Sequence, residues 1–172
     1  MSDGPFSRRR LVEAIAALRT DYAASTVARI NRLGVEVQRA TAALPQTTQS
    51  PLFTIAGGRV GVTMFIGEVT TVLQTQANNT KIVYAPTGAG ADTDLCAVLD
   101  TTAGAVGTYY SLPNSVSSAL SSGIRRCHPS VAVLFVLEAG TIDLSCAASS
   151  TGSIKWSCWY IPIDSGATIV AA

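Results

Sequence analysis

The chain changes its periodicity once, at Pro45. From Pro5 to Leu44 there is no internal proline, Gly34 is the one interior glycine, and Ala, Leu, Arg, Glu and Gln dominate, all residues that favour helix. Apolar or small side chains recur at Leu11, Ile15, Leu18, Tyr22, Thr26, Ile30, Leu33, Val37, Ala40 and Leu44. Their mean step of about 3.67 residues keeps one stripe on one side of a nearly straight helix. The spacing predicts a helix of about 38 residues, roughly 57 Å long, which Pro45 ends. A small β domain cannot cover so long a stripe. Leu11, Ile15, Leu18, Tyr22, Ile30, Leu33 and Val37 are therefore expected to meet the same residues of other subunits.

Beyond Pro45 the pattern is of another kind. Gln46 to Pro51 reads as a short polar linker, and short β-type runs follow, punctuated by Gly, Pro, Asn and Ser. Strands are predicted near 52–56, 59–66, 68–76, 80–85, 93–100, 107–112, 130–137, 140–147, 153–161 and 166–171. Period-2 alternation is clear in Val60, Val62, Met64 and Ile66, and again in Ile154, Trp156, Cys158 and Tyr160. Ser149-Ser150-Thr151-Gly152 reads as a hairpin turn joining 140–147 to 153–161, and Asp164-Ser165-Gly166 as the next turn. Pro113 to Arg126 is Ser-rich and reads as a surface loop or a short helical turn. The expected fold is thus mainly β with one long N-terminal α-helix. Residues 1–45 form an arm, 46–51 a linker, and 52–172 an antiparallel β-sandwich, jelly roll or small barrel.

Charge explains less of this surface than is usual. Charged residues make up 13% of the 172 and the net charge is +1, about half the usual charged share. Disorder driven by charge is excluded, and nucleic acid is not an expected partner, since no broad basic excess exists. Mean hydropathy is nevertheless positive. The longest clean apolar run, Val131 to Leu137, is strand-sized, so no membrane-spanning helix is expected. Met1 to Arg10 has no apolar stretch after its arginines and does not read as a secretory signal. Ser and Thr, 36 together, take the place of charge. The first 45 residues carry seven arginines against four acids, a net of +3, and the remainder a net of −2.

Few residues suggest chemistry. His128, the single histidine, lies between Cys127 and Pro129 and reads as a surface turn. Cys96, Cys127, Cys146 and Cys158 include no CxxC pair, which argues against structural zinc and for buried free thiols. Gly57-Gly58-Arg59-Val60-Gly61 and Thr87-Gly88-Ala89-Gly90-Ala91-Asp92 lie between strands with no following Lys-Ser or Lys-Thr. They read as turns and not as phosphate loops. Asp92, Asp94 and Asp100 lack the twelve-residue calcium-loop pattern. Glu68 and Glu138 would serve a glycosidase only if the fold set them about 5–10 Å apart. Trp159, Tyr109 and Tyr110 are candidate glycan contacts, against a plain packing role. Arg8, Arg9 and Arg10 oppose the dipole of the predicted helix, and are either a solvated helix start or an anchor for an acidic partner surface.

Two stretches carry a family resemblance. Leu52-Phe53-Thr54-Ile55-Ala56-Gly57-Gly58 leads into Ile66-Gly67-Glu68-Val69-Thr70-Thr71. Gly152-Ser153-Ile154-Lys155-Trp156 is followed by Tyr160-Ile161-Pro162-Ile163-Asp164 and Gly166-Ala167-Thr168-Ile169-Val170-Ala171-Ala172. Together they resemble small virion structural proteins of tailed bacteriophages. The resemblance implies a non-enzymatic accessory subunit without cofactors, homotrimeric, located in the virion and assembled in the bacterial cytoplasm. Its implied partners are copies of itself and the capsid, neck or tail proteins. Head decoration or a head fibre is the expected role, with a neck or tail fibre that binds a receptor or glycan as the alternative.

Overall fold

The computed structural model describes residues 15–17, 34–126 and 135–172. The chain divides into two compact units, Met1–Arg32 and Leu33–Ala172. In the first, Ile15–Ala17 is helical and exposed. The second is a sandwich of two antiparallel sheets.

Its strands are β1 (Val35–Gln38), β2 (Ala42–Ala43), β3 (Gln49–Ala56), β4 (Val60–Thr71), β5 (Asn79–Pro86), β6 (Thr93–Asp94) and β7 (Leu99–Asp100). They continue with β8 (Thr108–Ser111), β9 (Ser121–Ile124), β10 (Phe135–Leu137), β11 (Gly140–Cys146), β12 (Ser153–Pro162) and β13 (Thr168–Ala171). The first sheet runs β1-β12-β4-β8-β9, with β2 also on β12 and β10 also on β4. The second runs β13-β3-β11-β5-β6, with β7 also on β5. Mainly β and antiparallel was the expectation, and it holds.

The helix does not extend to Leu44. Gly34 has φ +87°, which a helix interior excludes, and Val35-Glu36-Val37-Gln38 alternates with period 2. That alternation sets Val35 opposite Tyr160 and Val37 opposite Cys158. Val37 packs against the core of its own subunit and so is not part of a helical stripe. A Cβ on Gly34 would collide with the Tyr160 carbonyl oxygen, so the glycine lets the chain enter the sheet edge. Leu11, Leu18, Tyr22, Ile30, Leu33 and Arg8 to Arg10 lie outside the described residues, as do Cys127 and His128.

Alternation places the core. Ile154, Trp156, Cys158 and Tyr160 are all buried, as their spacing predicts, and they face Phe53, Ile55, Ile142 and Leu144 of the other sheet within one cluster. Phe65 joins the layers, edge-on to Phe53 at 5.6 Å and tilted against Trp156 at 5.2 Å. Trp156 leaves no room beneath it: a Cβ on Gly67, its register partner, would lie 2.6 Å from the indole ring.

The predicted run Val60, Val62, Met64, Ile66 does not stay on one face. Between Tyr160↔Val62 and Trp159↔Met64 the register shifts by one residue, so Thr63 is extra on β4 and the strand changes faces there. Val60 and Val62 go inward with Phe65, while Met64 and Ile66 turn outward and stay half-buried. Thr63 Oγ1 donates to the Trp159 carbonyl at 3.1 Å. A second shift leaves Thr70 unpaired in register, and its hydroxyl donates to the Ser153 carbonyl at 3.2 Å.

Other boundaries also differ. The predicted 59–66 and 68–76 are one strand, β4, and 93–100 is two short pieces separated by buried Leu95 and Cys96. The start of β3 takes in Gln49–Pro51 of the predicted linker, and β9 lies within the Ser-rich segment. The proposed hairpin is not one. β11 and β12 belong to different sheets, and residues 147–152 carry the chain across the sandwich. Gln46 Nε2 fastens that crossing by donating to the Ser150 carbonyl at 2.9 Å and the Leu44 carbonyl at 2.8 Å. The Asp164 turn is present, closed by Ala167 N–H to the Asp164 carbonyl at 3.1 Å.

Candidate functional site

The outward face of the first sheet is its most featured surface, because the bulge at Thr63 directs Met64, Ile66 and Glu68 to that side. Across the strands, Glu36, Trp159 and Met64 form one row and Gln38, Ser157, Ile66, Ser111 and Ser121 the next. Lys155, Glu68, Tyr109 and Gly123 form the third. Trp159 and Tyr109 are half-buried there, as are Glu68 and Lys155. Four residues of strand and two strand spacings separate the aromatic pair, about 16 Å on the diagonal. Tyr110 points the other way into the core at 3% exposure, and burial raises its phenol above the ordinary value. Of the three candidate glycan contacts, two therefore share a face and Tyr110 does not join them.

The glycosidase constellation is not assembled. Glu68 pairs with Tyr109 near the far end of β4, whereas Glu138 follows Leu137, the partner of Val60. That offset along β4 is about 25–30 Å at strand rise, well beyond what paired carboxylates need. Asp92, Asp94 and Asp100, which lack the calcium-loop pattern, each have a separate partner. Asp94 takes the Lys81 ammonium at 2.8 Å. Asp100 Oδ1 accepts from Thr102 Oγ1 at 2.6 Å, Asn78 N–H at 2.9 Å and Thr102 N–H at 3.1 Å, which lowers its carboxyl below the usual range, the Thr102 hydroxyl first. Asp92 bonds Gln49 at 2.8 Å. Among the described residues no three His, Cys, Asp or Glu side chains converge as a metal site.

Gly57 and Gly58 turn the chain from β3 to β4 with φ +77° and +134°. Arg59, next in line, grips Asp164 of the other inter-sheet turn: Nε to Oδ2 at 2.9 Å, Nη2 to Oδ1 at 2.7 Å, and its N–H to Oδ2 at 2.8 Å. Donation by Arg59 pushes the Asp164 carboxyl down to about 2. Two clefts remain. One of about 270 Å³ opens at the sandwich edge, with Arg39, Pro45, Leu52, Leu144 and Trp156 in its walls. A shallower one of about 560 Å³ lies between Tyr84, Glu138 and the Gly88–Gly90 loop. Cys96, Cys146 and Cys158 are free and buried, as expected, and burial pushes the Cys158 thiol up to about 12. They are packing residues and not nucleophiles.

Comparison with protein-family models finds no match, and no curated protein and no solved structure matches the chain significantly. No helix among the described residues is long and apolar enough to cross a membrane.

The outward turn of Met64, Ile66 and Glu68 was hidden in the sequence, because an uninterrupted alternation carries no mark of a bulge. The one available signal is threonine at each slip: Thr63 and Thr70 both donate to a facing-strand carbonyl. Gln49 and Asp143, which the fold brings to Asp92, carried no sequence signal.

Proposed function

We propose that the chain is a non-enzymatic structural subunit of a tailed-bacteriophage virion, a trimeric accessory protein attached to the particle as capsid decoration or head fibre. The observation that carries this reading is the division of the chain. Met1–Arg32 is a unit of its own with six arginines against three acids. The sandwich that follows has a net charge of −2 and a hydroxyl-rich composition. Val98, Val106, Val116 and Ile124 are exposed on it. The arginine-rich unit is the attachment arm, with Arg8, Arg9 and Arg10 docking on an acidic shell surface. Removing residues 1–32 is expected to leave a folded sandwich that no longer incorporates into particles. Normal occupancy by the shortened protein would refute the arm as anchor, and native mass measurement counts the subunits.

A second reading is favoured by one observation, the sharing of a face by Trp159 and Tyr109. Trp159, one row from Gln38 and Ser157, and Tyr109, in the row of Glu68 and Lys155, offer stacking and hydrogen bonds to an extended glycan, as the tip of a neck or tail fibre would. Trp159→Ala should abolish glycan-array binding while Val170→Ala, on the other sheet, leaves it unchanged. A glycan signal indifferent to Trp159→Ala would remove this reading.

A further inference from the structure

The outward face of the second sheet holds a buried acid. Asp143 is 6% exposed although its neighbours in β11, Thr141 and Ser145, are half-exposed. Its register partners are Pro51 of β3 and Val83 of β5, and Val83, also on this face, is 2% exposed. Gln49 links this acid to the end of the glycine-rich Thr87–Asp92 loop. Its Nε2 donates to Asp143 Oδ2 at 2.9 Å and to Asp92 Oδ2 at 2.8 Å.

One amide nitrogen thus reaches two carboxylates, which holds their oxygens within about 6 Å of each other, where like charges repel. Lys81, the cation on this face of β5, is engaged by Asp94 at 2.8 Å. Asp143 Oδ1 is buried and has no hydrogen-bond partner among the described residues. A carboxylate oxygen in that position needs a proton donor or a cation.

We propose that Asp143, Asp92 and Gln49 form a binding site for a hard divalent cation, calcium in particular, at the end of the Thr87–Asp92 loop. The donors are of the right class. Asp143 Oδ1, the Asp92 carboxylate and, after rotation of its amide, Gln49 Oε1 are all oxygens, and calcium takes 6–8 oxygens at about 2.3–2.6 Å. Two oxygens on one such ion lie at most about 5 Å apart, so the two Oδ2 atoms that Gln49 bridges need approach by only about an ångström, with Asp143 Oδ1 as the second oxygen of a bidentate carboxylate. Loop carbonyls and water complete the shell. With only two carboxylates the site belongs to the weak class, with Kd of about 10⁻⁴–10⁻³ M.

The test is calorimetric titration of the chelator-treated full chain with calcium chloride, together with thermal unfolding with and without 10 mM calcium. One saturable site and a rise in Tm are expected, with magnesium weaker than calcium. Asp143→Asn should weaken binding at least tenfold and erase the calcium-dependent rise in Tm. Asp92→Asn, at an exposed loop position that cannot unfold the sheet, should weaken it severalfold, and Asp94→Asn should leave it unchanged. No heat and no shift in Tm up to 10 mM calcium would overturn the proposal. So would binding that both Asp143→Asn and Asp92→Asn leave at wild-type strength.

Discussion

Trp156 and Gly67 share one volume: the indole lies where any side chain at position 67 would be. Removing the ring leaves a cavity between the sheets, so Trp156→Ala should cost about 3–5 kcal/mol. Gly67→Ala overpacks the same place and should cost about 1–3 kcal/mol. Urea midpoints at constant m check both values. Cys158 permits a pH test. Its folded thiol titrates near 12 because it is desolvated, while an unfolded thiol ionises near 9. The folded state then keeps a proton that the unfolded state loses. This contribution is intact below about pH 9 and disappears as pH rises towards 12. Urea midpoints from pH 8 to 11 should fall in the wild type and fall less in Cys158→Ala. Alkylation of Cys158 should proceed only at the rate of unfolding.

At the level of elements, β1 and β2 close the edge of β12. A chain beginning at residue 33 keeps them, and one beginning at residue 46 loses both and uncovers the backbone of Ser157 to Tyr160. The shorter chain should unfold at a lower urea midpoint, read by tryptophan fluorescence. The Arg59–Asp164 pair ties two inter-sheet turns at one end of the sandwich. Because the Asp164 carboxyl is depressed to about 2, the pair's contribution is present above the ordinary aspartate range. It is lost as pH falls from about 4 to 2, so Arg59→Ala should flatten acid unfolding over that interval. What the sequence disclosed follows the same physics. The alternation of β12 was legible because every second residue enters the core without interruption. The face change in β4 was not, since an extra residue leaves the local pattern intact and shows only against the partner strand. A Ser-Ser-Thr-Gly turn reads identically whether the next strand stays in its sheet or crosses to the other, and here it crosses. Val35 to Gln38 fits a helical stripe and a β-edge equally well until Gly34 adopts its positive φ. The aromatic candidates divided for a related reason: adjacent residues in a strand face opposite ways, so Tyr109 and Tyr110 could never have shared a surface.

For the whole molecule, scarcity of charge has a local meaning. Among the described residues the sandwich pairs Arg59 with Asp164 and Lys81 with Asp94, and leaves hydroxyls and scattered valines at its surface. Surface electrostatics will contribute little to its cohesion. Its unfolding midpoint at pH 7 should therefore move by less than about 3 °C between 0.05 and 0.5 M sodium chloride in calorimetric scans. The pairing order has another consequence, which concerns time. β12 lies between β1 and β4 in the first sheet, yet it is separated from β1 by more than a hundred residues of chain. On a ribosome, β4 would leave the exit tunnel with its apolar inner face made and its central neighbour still unwritten. The second sheet can begin at β3, β5 and β11, but the first must wait for Ser153–Pro162 before its layers can seal. A nascent chain of this design spends most of its synthesis with an open sheet edge. Its folding is correspondingly a late, slow closure and not a progressive one.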